Sequence, residues 1–198
     1  MEKFTSLLEL SQVASSCKLC GLSEKRNNVV FGEGNFDSPL VLVGEGPGDN
    51  EDKTGRPFVG VAGKLLDRAL QDNGLDRKDV YICNTVKCRA CDWKDGKAFN
   101  RPPTPEESTA CRPWLVQQLS TIAPKIILCI GSPSANALIH KDFKITKERG
   151  MLFECEFANH AIATIHPAYI IRQRSKTYDG GYSLLVEDIA KAWMHANL

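Results

Sequence analysis

The stretch Pro39-Leu40-Val41-Leu42-Val43-Gly44-Glu45-Gly46-Pro47-Gly48 decides the fold. Its first half is a continuous apolar run bounded by Pro and Gly, the pattern of a strand buried on both faces of a parallel sheet. Its second half breaks at once into glycines, a proline and a carboxylate. Three more apolar runs repeat the arrangement, at Val80 to Cys83, Lys125 to Ile130 and Ala161 to Ile165. Each also ends in a polar segment: Asn84-Thr85-Val86-Lys87-Cys88, Gly131-Ser132-Pro133-Ser134 and His166-Pro167-Ala168-Tyr169. Between and around the runs, apolar periodicity predicts helices over residues 5 to 14, 61 to 73, 105 to 120, 132 to 139 and 181 to 196. Thr104-Pro105-Glu106-Glu107 is a capping box with Pro at the first helical position. Strands alternating with helices of this length predict a three-layer α/β/α domain with a central, mostly parallel four-stranded sheet. Ligands of such sheets sit at the carboxyl ends of the strands, so the four polar segments are expected to converge on one cleft. Residues 91 to 105, with Trp93 and Gly96, read as one long surface loop.

The 198 residues, 42% hydrophobic and 25% charged, suffice for a single domain over residues 1 to 198 with its own core, and exclude a disordered or fibrous chain. No apolar run reaches the roughly 18 residues that would cross a bilayer. The opening MEKFTSLLEL has neither a basic start nor a small-residue cleavage site, so a cytoplasmic protein without membrane contact is expected. With 25 basic residues against 24 acidic, the net charge is +1, and any polyanionic partner must be held by a local patch.

Eight cysteines, at 17, 20, 83, 88, 91, 111, 129 and 155, suit metal binding or core packing better than disulfides in a chain read as unexported. Cys83 and Cys129 lie within apolar runs and read as small core side chains. Cys155, in Phe153-Glu154-Cys155-Glu156-Phe157, alternates as on one face of a strand. Cys17-Lys18-Leu19-Cys20 is a CxxC pair in a polar loop, and Cys88, Cys91 and Cys111 fall in loops or near a helix start. Spacing alone leaves zinc, an iron–sulfur cluster and a redox pair open.

Each cleft residue admits two readings. The glycines of Gly44 to Gly48 match no phosphate-binding spacing and instead let backbone approach a flat ligand. Glu45, Asp49, Glu51 and Asp52 crowd carboxylates into this turn, or simply cap a following helix. Phe58, in Gly55-Arg56-Pro57-Phe58-Val59-Gly60, is a staple into the core or a stacking platform for a ring. Asn84 satisfies its amide on local backbone or on the edge of a base. His166 ends a strand before Pro, where a histidine is structural more often than catalytic.

Taken together, these segments resemble the family-four uracil-DNA glycosylases, the iron–sulfur branch of the uracil-DNA glycosylase superfamily. The resemblance runs nearly end to end. Its stretches are Cys17 to Cys20, Gly44 to Gly48 with Glu51-Asp52, Thr54 to Leu66, Asn84 to Arg89, Asn100 to Glu107, Ala110 to Leu115 and His166 to Tyr169. It implies a four-iron four-sulfur cluster held by Cys17, Cys20, Cys88 and Cys111, structural rather than redox-active. The segment Ala90 to Phe99 departs from the family's proline-rich pattern as an insertion and makes Cys91 a competing third ligand. The resemblance further implies hydrolysis of the uracil N-glycosidic bond in single- or double-stranded DNA after the nucleotide is flipped out, by a monomer. Phe58 would stack on the base beside Gly46, and Asn84 would read its N3/O4 edge. His166 would donate to O2, Glu45 would position water, and Glu51 would crowd C5. Ile170 would wedge into the stack, with Arg172, Arg174 and Lys176 on phosphates.

Two other readings compete. A branch of the superfamily that traps uracil-DNA covalently uses a histidine in a basic loop between the Asn84 strand and Cys111, an interval that here contains no histidine. A zinc-bearing nucleic-acid-binding module with a vestigial cleft is the other.

Overall fold

The computed structural model describes residues 6–198. Helix α1 (Leu7–Ser15) starts at Ser6, whose hydroxyl accepts from the Glu9 amide; residue 5, where the sequence places its start, lies outside the described residues. Strand β1 (Glu33–Gly34) and strand β2 (Leu40–Gly44) come next. They are followed by α2 (Asp49–Thr54), α3 (Val61–Gln71) and β3 (Tyr81–Asn84). A hairpin of β4 (Cys91–Lys94) and β5 (Lys97–Asn100) leads to α4 (Pro105–Ile122), opened by the expected Thr104–Glu107 capping box. The rest is β6 (Ile126–Ile130), α5 (Ser132–Leu138), α6 (Ile145–Glu148), β7 (Phe153–Cys155), β8 (Ala158–Thr164), α7 (Pro167–Gln173) and α8 (Tyr182–Ala196).

The main sheet has the order β1-β3-β2-β6-β8-β7 and six strands, where the sequence predicts four. The four apolar runs are its parallel centre. The two additions are antiparallel edges of two and three residues, too short and too polar to register as buried runs. Alternation sorts the strands into two cores. Leu40, Leu42, Ile82, Leu128 and Ile162 pack on α3, α7 and α8, while Val41, Val43, Tyr81, Ile127 and Ala161 pack on α4 and α5. Cys83 and Cys129 are fully buried on the second face, as core side chains.

The segment read as a loop is ordered, and so is the one expected to carry the wedge. Residues 91 to 100 form the hairpin because Asp95 and Gly96 both take positive φ, 51° and 72°, the conformation of the two-residue turn whose twist matches paired strands. The Asp-Gly dipeptide is the signal that the loop reading passed over. Residues 167 to 173 form α7, because His166 caps it and Pro167 fits the first helical position.

The parallel strands end together. Gly44 pairs with Asn84, and Ile130 with Thr164, so the segments that follow them share one end of the sheet. At that end Gly63 permits a close approach, since a Cβ there would collide with the Phe58 carbonyl. Gly63→Ala is therefore predicted to cost about 1–3 kcal/mol and to lower the melting temperature by roughly 3–10 °C in a scanning calorimeter; an unchanged melting temperature would refute the close packing.

Candidate active site

A cleft of about 380 Å³ opens at the carboxyl ends of the strands, lined by residues of all the predicted segments except the one after β6. Glu45, Gly46, Glu51, Phe58, Asn84 and His166 all border it. This volume suits a small flat molecule.

The Phe58 ring is buried, and the residue holds φ at 51°, a conformation that ordinary side chains avoid. Two anchors impose it. On one side the Glu51 carboxylate accepts from the amides of Val59 at 2.8 Å, Gly60 at 2.7 Å and Gly48 at 3.1 Å. On the other, Arg77 donates to the carbonyls of Pro57 and Phe58 while paired with Glu33 and Asp67. The ring lies against Gly44, where a Cβ would come within 2.5 Å of its Cζ and would also strike the Asn84 amide. Only glycine lets ring and amide meet at the strand end.

Asn84 is 2% exposed, and its Oδ1 has no hydrogen-bond partner. A buried unpaired carbonyl oxygen costs about 1–3 kcal/mol, so one at the rim of a cleft is an acceptor awaiting a ligand N–H. Its own backbone carbonyl is held by Lys87, whose buried ammonium donates to Asn84 O at 2.8 Å and to Gln118 Oε1 at 2.5 Å.

His166 sits across the cleft, its ring 6.0 Å from that of Phe58 and inclined by 32°. Nδ1 accepts from the Ala168 amide at 3.1 Å, capping α7. A nitrogen that accepts carries no proton, so the neutral imidazole keeps its hydrogen on Nε2. Burial, together with the positive charge of Arg172, pushes its pKa down to about 4. The group is therefore a neutral donor across the physiological range.

Glu45 is half-buried, and burial alone raises its carboxyl pKa. Its carbonyl accepts from Val86 N and Thr85 Oγ1, which fixes the loop beneath it. Glu51 borders the same cleft, but its carboxylate is occupied by the three amides. Ile170 does not match its expected place. As the fourth residue after the cap it faces inward, is fully buried and packs in the core of α3 and α8, so it is no wedge. The exposed apolar side chains of that helix are Tyr169 and Ile171. Arg172 in its last turn, and Arg174 and Lys176 just beyond it, are all exposed.

A second cavity collects Cys17, Cys20, Cys88 and Cys111 with Trp114 and Arg26. Cys91 faces a different groove, on the hairpin. Three donors reach the sulfurs: Trp114 Nε1 to Cys17 at 3.2 Å, Lys87 N to Cys111 at 3.2 Å and Arg26 Nη1 to Cys88 at 3.6 Å. Burial pushes the Cys88 thiol up to about 11 and raises that of Cys111, so thiolates there require a neighbouring positive charge. Among the described residues no group of three or more His, Cys, Asp or Glu side chains is arranged around a single metal ion. Four thiols around one cavity, with N–H donors reaching three of the sulfurs, are a donor set of the kind that holds thiolate-bound metal groups.

Sequence reasoning missed Arg77 and Lys87, whose side chains reach the cleft residues through backbone carbonyls. No periodicity or spacing announces such contacts.

Known proteins resemble this chain over most of its length. The family model of the uracil DNA glycosylase superfamily matches residues 31–194. The chain is 44% identical over 188 residues to the type-4 uracil-DNA glycosylase of Thermotoga maritima, covering 94% of this chain and 93% of that one. It is 42% identical over 171 residues to the type-4 uracil-DNA glycosylase of Sulfurisphaera tokodaii, covering 82% of this chain and 74% of that one. To that of Archaeoglobus fulgidus it is 39% identical over 173 residues, covering 84% and 83%.

The neutral imidazole has a consequence for stability. An unfolded histidine takes up its proton near pH ~6.5, whereas the folded one resists until about 4. The stability contributed by His166 is thus complete above ~6.5 and is lost as pH falls through the folded value. Denaturant midpoints measured from pH ~7 to ~4.5 should fall more steeply for the wild type than for His166→Gln; parallel curves would contradict the buried neutral ring.

Proposed function

The chain belongs to the uracil DNA glycosylase superfamily and is a uracil-DNA glycosylase of DNA repair, and we propose that its cleft hydrolyses the bond between uracil and deoxyribose once the nucleotide has left the helix, leaving an abasic site. One observation carries this assignment of roles: the Phe58 ring, the unpaired Asn84 oxygen and the neutral His166 donor border one cleft. Phe58 offers a face for the extruded pyrimidine, with Gly46 leaving room beside it. Asn84 Oδ1 takes the uracil N3–H, and its amide nitrogen gives to O4. Cytosine presents the reverse pattern and would leave buried groups unpaired at about 1–3 kcal/mol.

As the bond breaks, negative charge gathers on uracil O2 and positive charge on the sugar. Nε2–H of His166 is the donor for the first, and remaining neutral suits it to stabilise charge without surrendering a proton. The Glu45 carboxylate, which borders the cleft, is assigned to orient water toward the sugar and oppose its positive charge. Glu51 acts through the backbone it holds, shaping the wall that a C5 methyl would meet. Arg172 and Arg174 supply the local positive charge that the near-neutral total requires for phosphate contact.

Cys17, Cys20, Cys88 and Cys111 are proposed to hold a four-iron four-sulfur cluster, whose iron supplies the positive charge that buried thiolates require. It ties the loop after α1 to α4 and to the segment after Asn84.

Incubation with a uracil-containing oligonucleotide, followed by alkali to cut at abasic sites, tests the activity. His166→Ala should slow single-turnover excision by roughly 10²–10³-fold, the range for losing one preorganised donor, with DNA affinity nearly unchanged. A comparable loss of affinity would remove the assignment. Cys111→Ser should lower iron and acid-labile sulfide per chain and bleach visible absorbance; wild-type protein carrying zinc in place of iron would overturn the cluster.

A further inference from the structure

The hairpin of β4 and β5 is the part of the molecule that the chemistry above leaves without a task. Trp93 and Phe99 are 51% and 55% exposed, and neither joins a core cluster. Two large aromatics held in water on a two-stranded ribbon do nothing for the fold, because such a ribbon is marginal by itself. The root, in contrast, is firmly built. Arg101 forks onto the Glu107 carboxylate at 2.7 and 2.8 Å and reaches Asp92 at 3.1 Å. Arg89 bridges Asn100 and Asp49 at 2.7 and 2.6 Å, and the Arg101 amide donates to Ala90 O. Ala90, Asn100 and Arg101 are also part of the cleft wall. The hairpin is thus a stiff outward extension of one side of the active site.

Against it lies a groove lined by Trp93, Phe99 and four cations, Lys25, Lys53, Arg89 and Lys97. The Lys25 ammonium lies 5.9 Å above the Trp93 ring. Both carboxylates of the groove are engaged, Asp49 by Lys53 and Arg89 and Asp52 by the Asn27 and Asn28 amides. Asp92 at the root is held by Arg101, and Asp95 is at the far turn. The groove meets the cleft at Asp49, which lines both. Aromatic faces beside the ammonium groups of Lys25 and Lys97, neither paired with a carboxylate among the described residues, are the chemistry that holds unpaired nucleotides, with bases on the rings and phosphates on the cations. A duplex, whose bases are stacked inward, offers no face to either ring.

Resting on the reading of the cleft as a uracil-DNA site, we propose that this groove is a subsite for the unpaired nucleotides that flank the target uracil, with Trp93 stacking on a base and Lys25 and Lys97 on the backbone. The enzyme accordingly holds single-stranded substrate by a surface that duplex does not use.

The test is binding of a labelled oligothymidylate without uracil, followed by fluorescence anisotropy, beside a duplex of the same length. Trp93→Ala should weaken single-strand binding by about tenfold, as expected for one lost stacking contact, and duplex binding by less than twofold. Trp93→Phe should restore most of the affinity while removing the tryptophan quenching that single strands cause, and Lys25→Ala should weaken single-strand binding and lower its salt dependence. Unchanged single-strand affinity in Trp93→Ala, or equal loss on both forms, overturns the subsite. Wild-type excision of uracil, measured in parallel, separates the two claims. Normal excision with unchanged Trp93→Ala binding sinks the subsite alone, whereas the predicted binding losses in a protein that excises nothing sink the assigned reaction alone.

Discussion

The site depends first on the Glu51 carboxylate. It is 9% exposed and accepts from three backbone amides, at Gly48, Val59 and Gly60. Those amides belong to the two turns that carry the cleft, one following β2 and one carrying Phe58. Without a common acceptor, both turns would leave donors buried and unpaired, and the positive φ of Phe58 would have nothing to maintain it. The carboxylate is thereby withdrawn from the chemistry that crowded acidic residues suggest at first sight. Its neighbour Glu45 accepts none of these amides and borders the same cleft.

A second strut joins the cleft to the cysteine cavity. Lys87 donates its amide to the Cys111 sulfur and its ammonium to the Asn84 carbonyl. Gln118 completes the arrangement by accepting from Lys87 and donating to Tyr81 and to the Phe31 carbonyl. Asn84 is thus joined through Lys87 to the sulfur of Cys111. Whatever fixes the Cys111 sulfur therefore also bears on the strand end that carries Asn84.

The polar atoms at the strand ends divide by whether the protein satisfies them. Nδ1 of His166 is satisfied by α7, which fixes the tautomer and leaves Nε2–H for a ligand. Asn84 Oδ1 is left unsatisfied behind a glycine that cannot shield it. Under the proposed function, the cost of that unpaired oxygen is recovered when a base occupies the cleft.

The parallel centre of the sheet was legible in the sequence because a strand buried on both faces must be apolar throughout, and four such runs ended in unusual polar segments. That Cys17, Cys20, Cys88 and Cys111 would share one cavity, and Phe58, Asn84 and His166 one cleft, was legible through the family resemblance their segments carry. The edges at Glu33–Gly34 and Phe153–Cys155 were not, since a short strand paired on one side needs no apolar pattern. Nor was the inward turn of Ile170, which follows from α7 continuing past a cap that reads equally well as a loop. The chain by itself determined which residues would stand at the strand ends, because hydrophobic pattern and turn chemistry are local. Only the tertiary structure decided which of their polar atoms would be satisfied, because a hydrogen bond between residues far apart in the chain leaves no trace in periodicity.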